Sequence, residues 1–176
     1  MPAVRHCPLP ADALLNRYVG AGAYVDCFVA EVARTVSCAE YVECFYTTAV
    51  FKLERAILRL FLSRPSTDAE ARQLARGERA TFAAWTVEAR SPDQLLMADV
   101  GGRTRSWLMV APSGAGGTLL YFGSAVIPVR DRTTGRASLG PVFSALLGFH
   151  KQYSRVLLYS ARSSLDRAPS FARPAE

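Results

Sequence analysis

Of the side chains able to move a proton, His150 is the one whose position asks for an explanation. It falls within a series of apolar residues, Leu139, Val142, Phe143, Leu146, His150, Tyr153, Val156, Leu157 and Ala161, recurring at steps of three and four, which places it on the buried side of a helix. A neutral imidazole there can serve as acid, base or hydrogen-bond donor, and His150 is the candidate catalytic residue. It can equally be a packed core histidine. Tyr153, one turn on, shares the wall and needs a partner for its hydroxyl.

A second group lies on strand-like sequence. Arg103, Arg105, Trp107 and Met109 alternate with Thr104, Ser106, Leu108 and Val110. If Arg105 and Trp107 face the helix, they offer a guanidinium beside a flat aromatic wall, suited to a carboxylated or phosphorylated apolar ligand. If they face outward, Trp107 covers the outer sheet and Arg105 is a solvated charge; the plainer core face made by Ser106, Leu108 and Val110 favours this orientation. Tyr121 and Ser124, on the following strand, complete the candidate ligand contacts with Arg105, Trp107, His150 and Tyr153. Ser124 follows Gly123, but Phe-Gly-Ser-Ala lacks the second glycine of a nucleophile elbow. Asp99, across a turn from Arg103, reads as a cross-strand ion pair or as half of an acid–base pair. The glycines at 101–102 and 114–117 lack the lysine and helix start of a phosphate-binding loop. No cofactor is expected.

Cys7, Cys27, Cys38 and Cys44 form no C-x-x-C pair, and the histidines are His6 and His150, so no metal site is expected and the cysteines read as buried free thiols. The net charge of +6 comes almost wholly from arginine, lysine appearing at Lys52 and Lys151. These arginines are scattered, without the aromatic–basic interleaving of single-strand binders, which argues against a dedicated nucleic-acid function. Half the residues are apolar and a fifth charged, the composition of a globular protein. The longest apolar run, Thr118 to Val129, is broken by Gly123, Ser124 and Pro128 and falls short of the ~20 residues that span a bilayer. Met1 to Pro10 has no apolar signal segment, and a cytoplasmic location is expected.

The elements that must hold these residues follow in order. Residues 1–10 form an extended arm and 11–19 a short helix ended by Gly20 and Gly22. Ala23 to Val32 is a strand apolar on both faces. Ser37 and Glu40 make a capping box for a helix interrupted at Thr47-Thr48. Beyond it Val50, Leu53, Ile57, Leu60 and Phe61 form a second stripe, with Lys52, Glu54, Arg55 and Arg59 toward water, until Arg64-Pro65 stops the helix. Thr67 and Glu70 cap a short helix ending near Arg76-Gly77. Then come four strands: Phe82 to Arg90, with Trp85, Val87 and Ala89 on one face; Gln94 to Val100; Arg103 to Ala111, reached through a two-residue Gly101-Gly102 hairpin; and Thr118 to Val129. The helix Leu139 to Leu165 and a tail, 166–176, close the chain. The expected fold is α+β: one domain over residues 1–176, ordered from about 11 to 165, with an antiparallel sheet of about five strands against a long C-terminal helix. The early strand rejoins the sheet along an edge of the four-strand meander.

This order, carried by Ala23 to Val32, Ser37 to Leu62 and Phe82 to Leu165, resembles the helix-grip fold of the START-like superfamily, which includes polyketide cyclases and aromatases and the birch-pollen-allergen proteins. Segments Arg103 to Trp107, Tyr121 to Ala125 and Gly148 to Tyr153 also look like those of small uncharacterised bacterial proteins related to it. Four strands follow the helices here, where larger members have six. The resemblance implies an apolar or amphipathic small molecule bound between sheet and long helix; in a minority of members it implies cyclisation or dehydration chemistry. A scaffold whose cavity is filled by Phe45, Phe61, Phe122, Phe143 and Phe149 is the third reading.

Overall fold

The computed structural model describes residues 4–53, 55, 66–114, 116–130, 137–138 and 141–167, with the backbone alone for Ala21 and residues 129–130, 137–138 and 141–150. Strands β1 (Arg5–His6), β2 (Tyr24–Val32), β3 (Thr81–Phe82), β4 (Trp85–Ser91), β5 (Gln94–Asp99), β6 (Thr104–Pro112) and β7 (Thr118–Val126) form one antiparallel sheet in the spatial order β1-β2-β7-β6-β5-β4-β3. The early strand β2 pairs along its whole length with β7, the last strand of the meander. The sheet has seven strands rather than five. The two extra ones are two-residue edges: the N-terminal arm, expected to be extended and outside the ordered core, adds β1 through pairing of Arg5 with Val29 and His6 with Phe28, and Ala83 at φ 50° folds Thr81–Phe82 back on Trp85 and Thr86. A separate ribbon joins β8 (Val129–Arg130) and β9 (Ala137–Ser138).

Helices cover one face. In α1 (Cys38–Thr47) the Ser37 hydroxyl accepts from the Glu40 N–H and the Glu40 carboxylate accepts from the Ser37 N–H, satisfying two of the donors that a helix start leaves open. Thr48, with ψ 152°, ends α1; its hydroxyl donates to the Phe45 carbonyl and accepts from the Phe51 N–H, so one side chain closes α1 and opens the helical residues 49–53. This stretch is turned from the expected stripe. Phe51 is buried and Leu53 is 64% exposed. Arg55, expected in water, is buried over the Phe82 ring, with Nε donating to Ser66 Oγ at 2.9 Å and Nη1 2.6 Å from Asp68. Glu54, Ile57, Arg59, Leu60, Phe61 and the Arg64-Pro65 stop lie outside the described residues. Helix α2 (Asp68–Ala75) carries its Thr67–Glu70 capping box, and α3 (Pro141–Arg167) is the long helix, running two residues into the expected tail. Of its predicted stripe, Leu157 and Ala161 are buried with Leu158 and Leu165, whereas Val156 is 48% exposed. The side chains of Val142, Phe143, Leu146 and His150 lie outside the described set, as does Leu139.

The inner face of the sheet meets these helices over one core. Phe45, Tyr46, Phe51, Phe82 and Phe122 stack within it at ring separations of 4.8–6.3 Å. A second core covers the outer face: the 3₁₀ helix Leu14–Ala21 and the arm before it lie over Cys27, Val29, Leu96, Trp107, Met109 and Ala125. Two covered faces explain why β2 and β7 are apolar on both sides. Gly123 permits the close approach on the outer side, since a Cβ there would sit 2.9 Å from the Asp26 carbonyl, Leu15 and Trp107.

Two local details depart from simple alternation. A bulge between Val87 and Ala89 makes Glu88 the extra residue. Trp85 and Val87 therefore pack against the inner core while Ala89 turns to the outer one, and Glu88 is aimed at the outer face. The β5–β6 connection is four residues, 100–103, not a two-residue turn. Asp99 organises it, its carboxylate accepting from the N–H groups of Gly101 (3.1 Å) and Thr104 (2.7 Å), with Gly102 at φ 69°.

Candidate functional site

The sheet divides the six candidate ligand contacts. Arg105, Trp107 and Tyr121 lie on the outer face, away from α3. Trp107 is fully buried there, 6.2 Å from the Tyr121 ring, and its indole N–H donates to Gln94 Oε1 at 2.9 Å. The same oxygen accepts from the Leu14 N–H at 2.8 Å, and the Gln94 amide donates to the Asp12 carbonyl at 3.1 Å. One buried glutamine thus pins the 3₁₀ helix and its lead-in to the sheet. The outward orientation of Arg105 matches the expectation, but its guanidinium is not solvated. It pairs with Glu88, donates to Tyr18 Oη at 2.8 Å and lies 5.0 Å over the Tyr18 ring. Burial would raise the Glu88 carboxyl, but the Tyr18 hydrogen bond and the Arg105 charge outweigh it and hold the group below the ordinary carboxylate range. The network fastens the 3₁₀ helix to β4 and β6.

Ser124 and Tyr153 are the candidates on the helix side. Ser124 is buried opposite Asp26 in the β2–β7 register, and its hydroxyl donates to Asp26 Oδ1 at 2.6 Å while its N–H lies 3.2 Å from the same oxygen. The Tyr24 hydroxyl donates to Asp26 Oδ2 at 3.2 Å. Burial, with the Asp26 charge behind it, drives the Tyr24 phenol well above its usual range, so it stays protonated. Asp26 is only 3% exposed. A carboxylate removed from water costs several kcal/mol unless hydrogen bonds replace its hydration, which these donors do. Ser106, paired with Ser124, extends the polar patch along β6. It is an interruption in an inner wall otherwise made of Phe28, Ala30, Val32, Leu108, Leu120 and Phe122.

Helix α3 runs antiparallel to β2 across this wall. Arg34 Nε donates to the Leu165 carbonyl, Arg162 Nε donates to the Glu31 carbonyl, Arg155 lies 5.6 Å over the Phe28 ring and Lys151 lies 6.0 Å over the Tyr24 ring. Asp26 therefore stands level with the helix turn 151–155. There the inner stripe Leu165, Ala161, Leu158 and Leu157 gives way to Ser154, whose hydroxyl is buried and has no hydrogen-bond partner among the described residues. Tyr153 is half-buried at the rim of the same core. His150 lies on the adjoining turn of backbone, its side chain outside the described set. Both walls thus become polar at the same level.

Sequence reasoning did not single out Asp26, although a lone acid alternating with Tyr24, Phe28, Ala30 and Val32 was visible. Its partner Ser124 was named, but nothing in either strand alone shows that the two are in register. Elsewhere, open clefts of about 370 Å³ and about 500 Å³ border the N-terminal arm and the β5–β6–β7 strand ends. Among the described residues no group of three or more His, Cys, Asp or Glu is placed to hold a metal ion, and no helix is long and apolar enough to cross a membrane.

No family model matches the chain, and no curated protein matches it in sequence. Among solved structures, the crystal structure of CalU16 from Micromonospora echinospora is similar over 93% of this chain and 85% of that one, at 13% identity and a TM-score of 0.39. A likeness that loose carries no weight on function. What stands from the structure itself is an α+β chain with an open antiparallel sheet packed against a C-terminal helix.

Proposed function

We propose that the protein binds an amphipathic small molecule between the inner face of the sheet and the first half of α3, in the manner of a helix-grip protein. The observation that carries this reading is the polar patch itself. Asp26, Tyr24 and Ser124 on the sheet, and the Ser154 hydroxyl on the helix, which has no partner among the described residues, lie level with one another inside an otherwise apolar sandwich. Small-molecule sites have this character, an apolar lining with a few converging polar groups that fix orientation. The aromatic stack and the Leu157–Leu165 end of α3 form a packed core among the described residues, which favours the other end of the helix for the ligand. Its polar end is a hydroxyl or amine. The Asp26 carboxylate repels an anion, and Arg105, the guanidinium that would suit a carboxylate, is held by Glu88 on the far face.

An enzyme using His150 is the second reading, favoured by a buried carboxylate on the sheet level with the adjoining helix turn. Native mass spectrometry of the purified protein, followed by denaturing extraction, tests binding: an apolar molecule bearing a hydroxyl or amine is expected in the extract. A clean apo mass, joined by no thermal stabilisation across long-chain alcohols, aromatic alcohols, amines and fatty acids, overturns the binding reading. With a ligand in hand, turnover abolished by His150→Ala would favour the enzyme; an unchanged ligand after prolonged incubation favours the binder.

A further inference from the structure

We infer that Cys7 and Cys27 form a redox-active dithiol, which peroxide converts to a disulfide that locks the N-terminal arm onto the sheet. The β1–β2 register pairs Arg5 with Val29 and His6 with Phe28; continued by one residue it sets Cys7 directly opposite Cys27. The Cys7 N–H donates to the Cys27 carbonyl at 3.0 Å, and the two sulfurs are 3.4 Å apart. Directly opposed residues of an antiparallel pair have Cα atoms ~4.5–5.5 Å apart, within the range a disulfide requires. Both cysteines line the open cleft of about 370 Å³ beside the arm, so a small oxidant reaches them although each is buried. The other two thiols, Cys38 and Cys44, belong to α1 on the opposite side of the sheet.

The pair is also chemically unequal. The hydrogen bond between the two sulfurs lowers the Cys7 thiol against the opposing effect of burial, and Arg5 adds to the lowering. The same hydrogen bond, with burial, raises Cys27. Cys7 is thus the thiol of the pair that ionises more readily, and it attacks as its thiolate. Its sulfur bonds to one peroxide oxygen, the O–O bond breaks, and hydroxide leaves, giving a sulfenic acid at Cys7. Cys27 is then relieved of its anionic neighbour; its sulfur attacks the Cys7 sulfur and expels the oxygen as water. The sum is two thiols and one hydrogen peroxide giving a disulfide and two waters, reversed by a dithiol reductant. Closing the chain between positions 7 and 27 restricts the unfolded state and fastens the arm that covers the outer core.

The test treats the reduced full-length protein with hydrogen peroxide, alkylates it under denaturing conditions and measures intact mass and tryptic peptides. Trypsin cuts after Arg5, Arg17 and Arg34, leaving Cys7 and Cys27 on separate peptides. Expected are a loss of about 2 Da, two remaining alkylatable thiols of the four, and a linked peptide pair that dithiothreitol separates. The oxidised form should melt roughly 5–10 °C higher. In Cys27→Ser, Cys7 should instead accumulate as a dimedone-reactive sulfenic acid. Four alkylatable thiols after treatment, oxygen addition at Cys7 of the wild type without a disulfide, or a disulfide involving Cys38 or Cys44 would overturn the inference.

Discussion

Replacing Gln94 by leucine should loosen the whole outer layer, because this one side chain serves three groups that have no other partner among the described residues. Leucine is close in volume but accepts and donates nothing. The Trp107 indole N–H, fully buried, would lose its acceptor and pay close to the full penalty of an unsatisfied donor, ~1–3 kcal/mol. The Leu14 N–H and the Asp12 carbonyl are partly buried and reach water more readily, so each costs ~0.5–1 kcal/mol. Added apolar burial by the leucine returns ~1 kcal/mol. The net expectation is a destabilisation of roughly 1–4 kcal/mol, a fall in melting temperature of about 2–16 °C. Urea unfolding followed by tryptophan fluorescence and circular dichroism measures it. A double-mutant cycle isolates the central bond, because Trp107→Phe removes the indole donor: in that background Gln94→Leu should cost ~1–2 kcal/mol less. A destabilisation below about 1 kcal/mol, or additive single and double variants, would refute the reasoning and the claim that Gln94 ties the 3₁₀ helix to the sheet.

Gly123→Ala should destabilise by ~1–3 kcal/mol, since its Cβ would press on the Asp26 backbone as well as on Leu15 and Trp107; chemical denaturation at neutral pH measures it. Glu88 gives a pH signature. Its folded-state pKa is depressed, so its contribution is present above the ordinary glutamate value of ~4.3 and is lost as pH falls through the folded value; Glu88→Gln should lower stability at neutral pH and flatten the acid limb of the stability curve. Arg55→Met should cost ~1–3 kcal/mol by leaving Ser66 and Asp68 without the guanidinium, whereas a solvated Arg55 would be replaceable at no cost in thermal melts.

The parts of the fold readable from the chain were those governed by local chemistry. Both capping boxes, the break at Thr47-Thr48 and the meander followed from residues a few positions apart. Departures arose where distant segments decide. One extra residue at Glu88 reverses which face Ala89 occupies, and no local pattern announces a bulge. The alternation favoured the outer face for Trp107 and Arg105 without deciding it, and their burial depends on the 3₁₀ helix, some ninety positions earlier, folding over them. Leu53, expected on the buried stripe, is exposed and Phe51 is buried instead, because Thr48 ends α1 and the helical residues after it start in a new phase. The candidate site shows the same limit. Ser124 was nameable from its strand, whereas the Asp26 partnership exists only because β2 pairs with β7 across 98 positions.

The most direct test of the proposed binding mode is photo-crosslinking with a long-chain alcohol carrying a diazirine beside its hydroxyl, mapped by peptide mass spectrometry with and without excess unlabelled alcohol. Binding at the polar patch predicts competed labels on the β2 and β7 segments around Asp26 and Ser124 and on the helix around Ser154, with labelling lost in Asp26→Ala. Competed labels confined to the N-terminal arm and the 3₁₀ helix, or labels that excess alcohol does not displace, would contradict it.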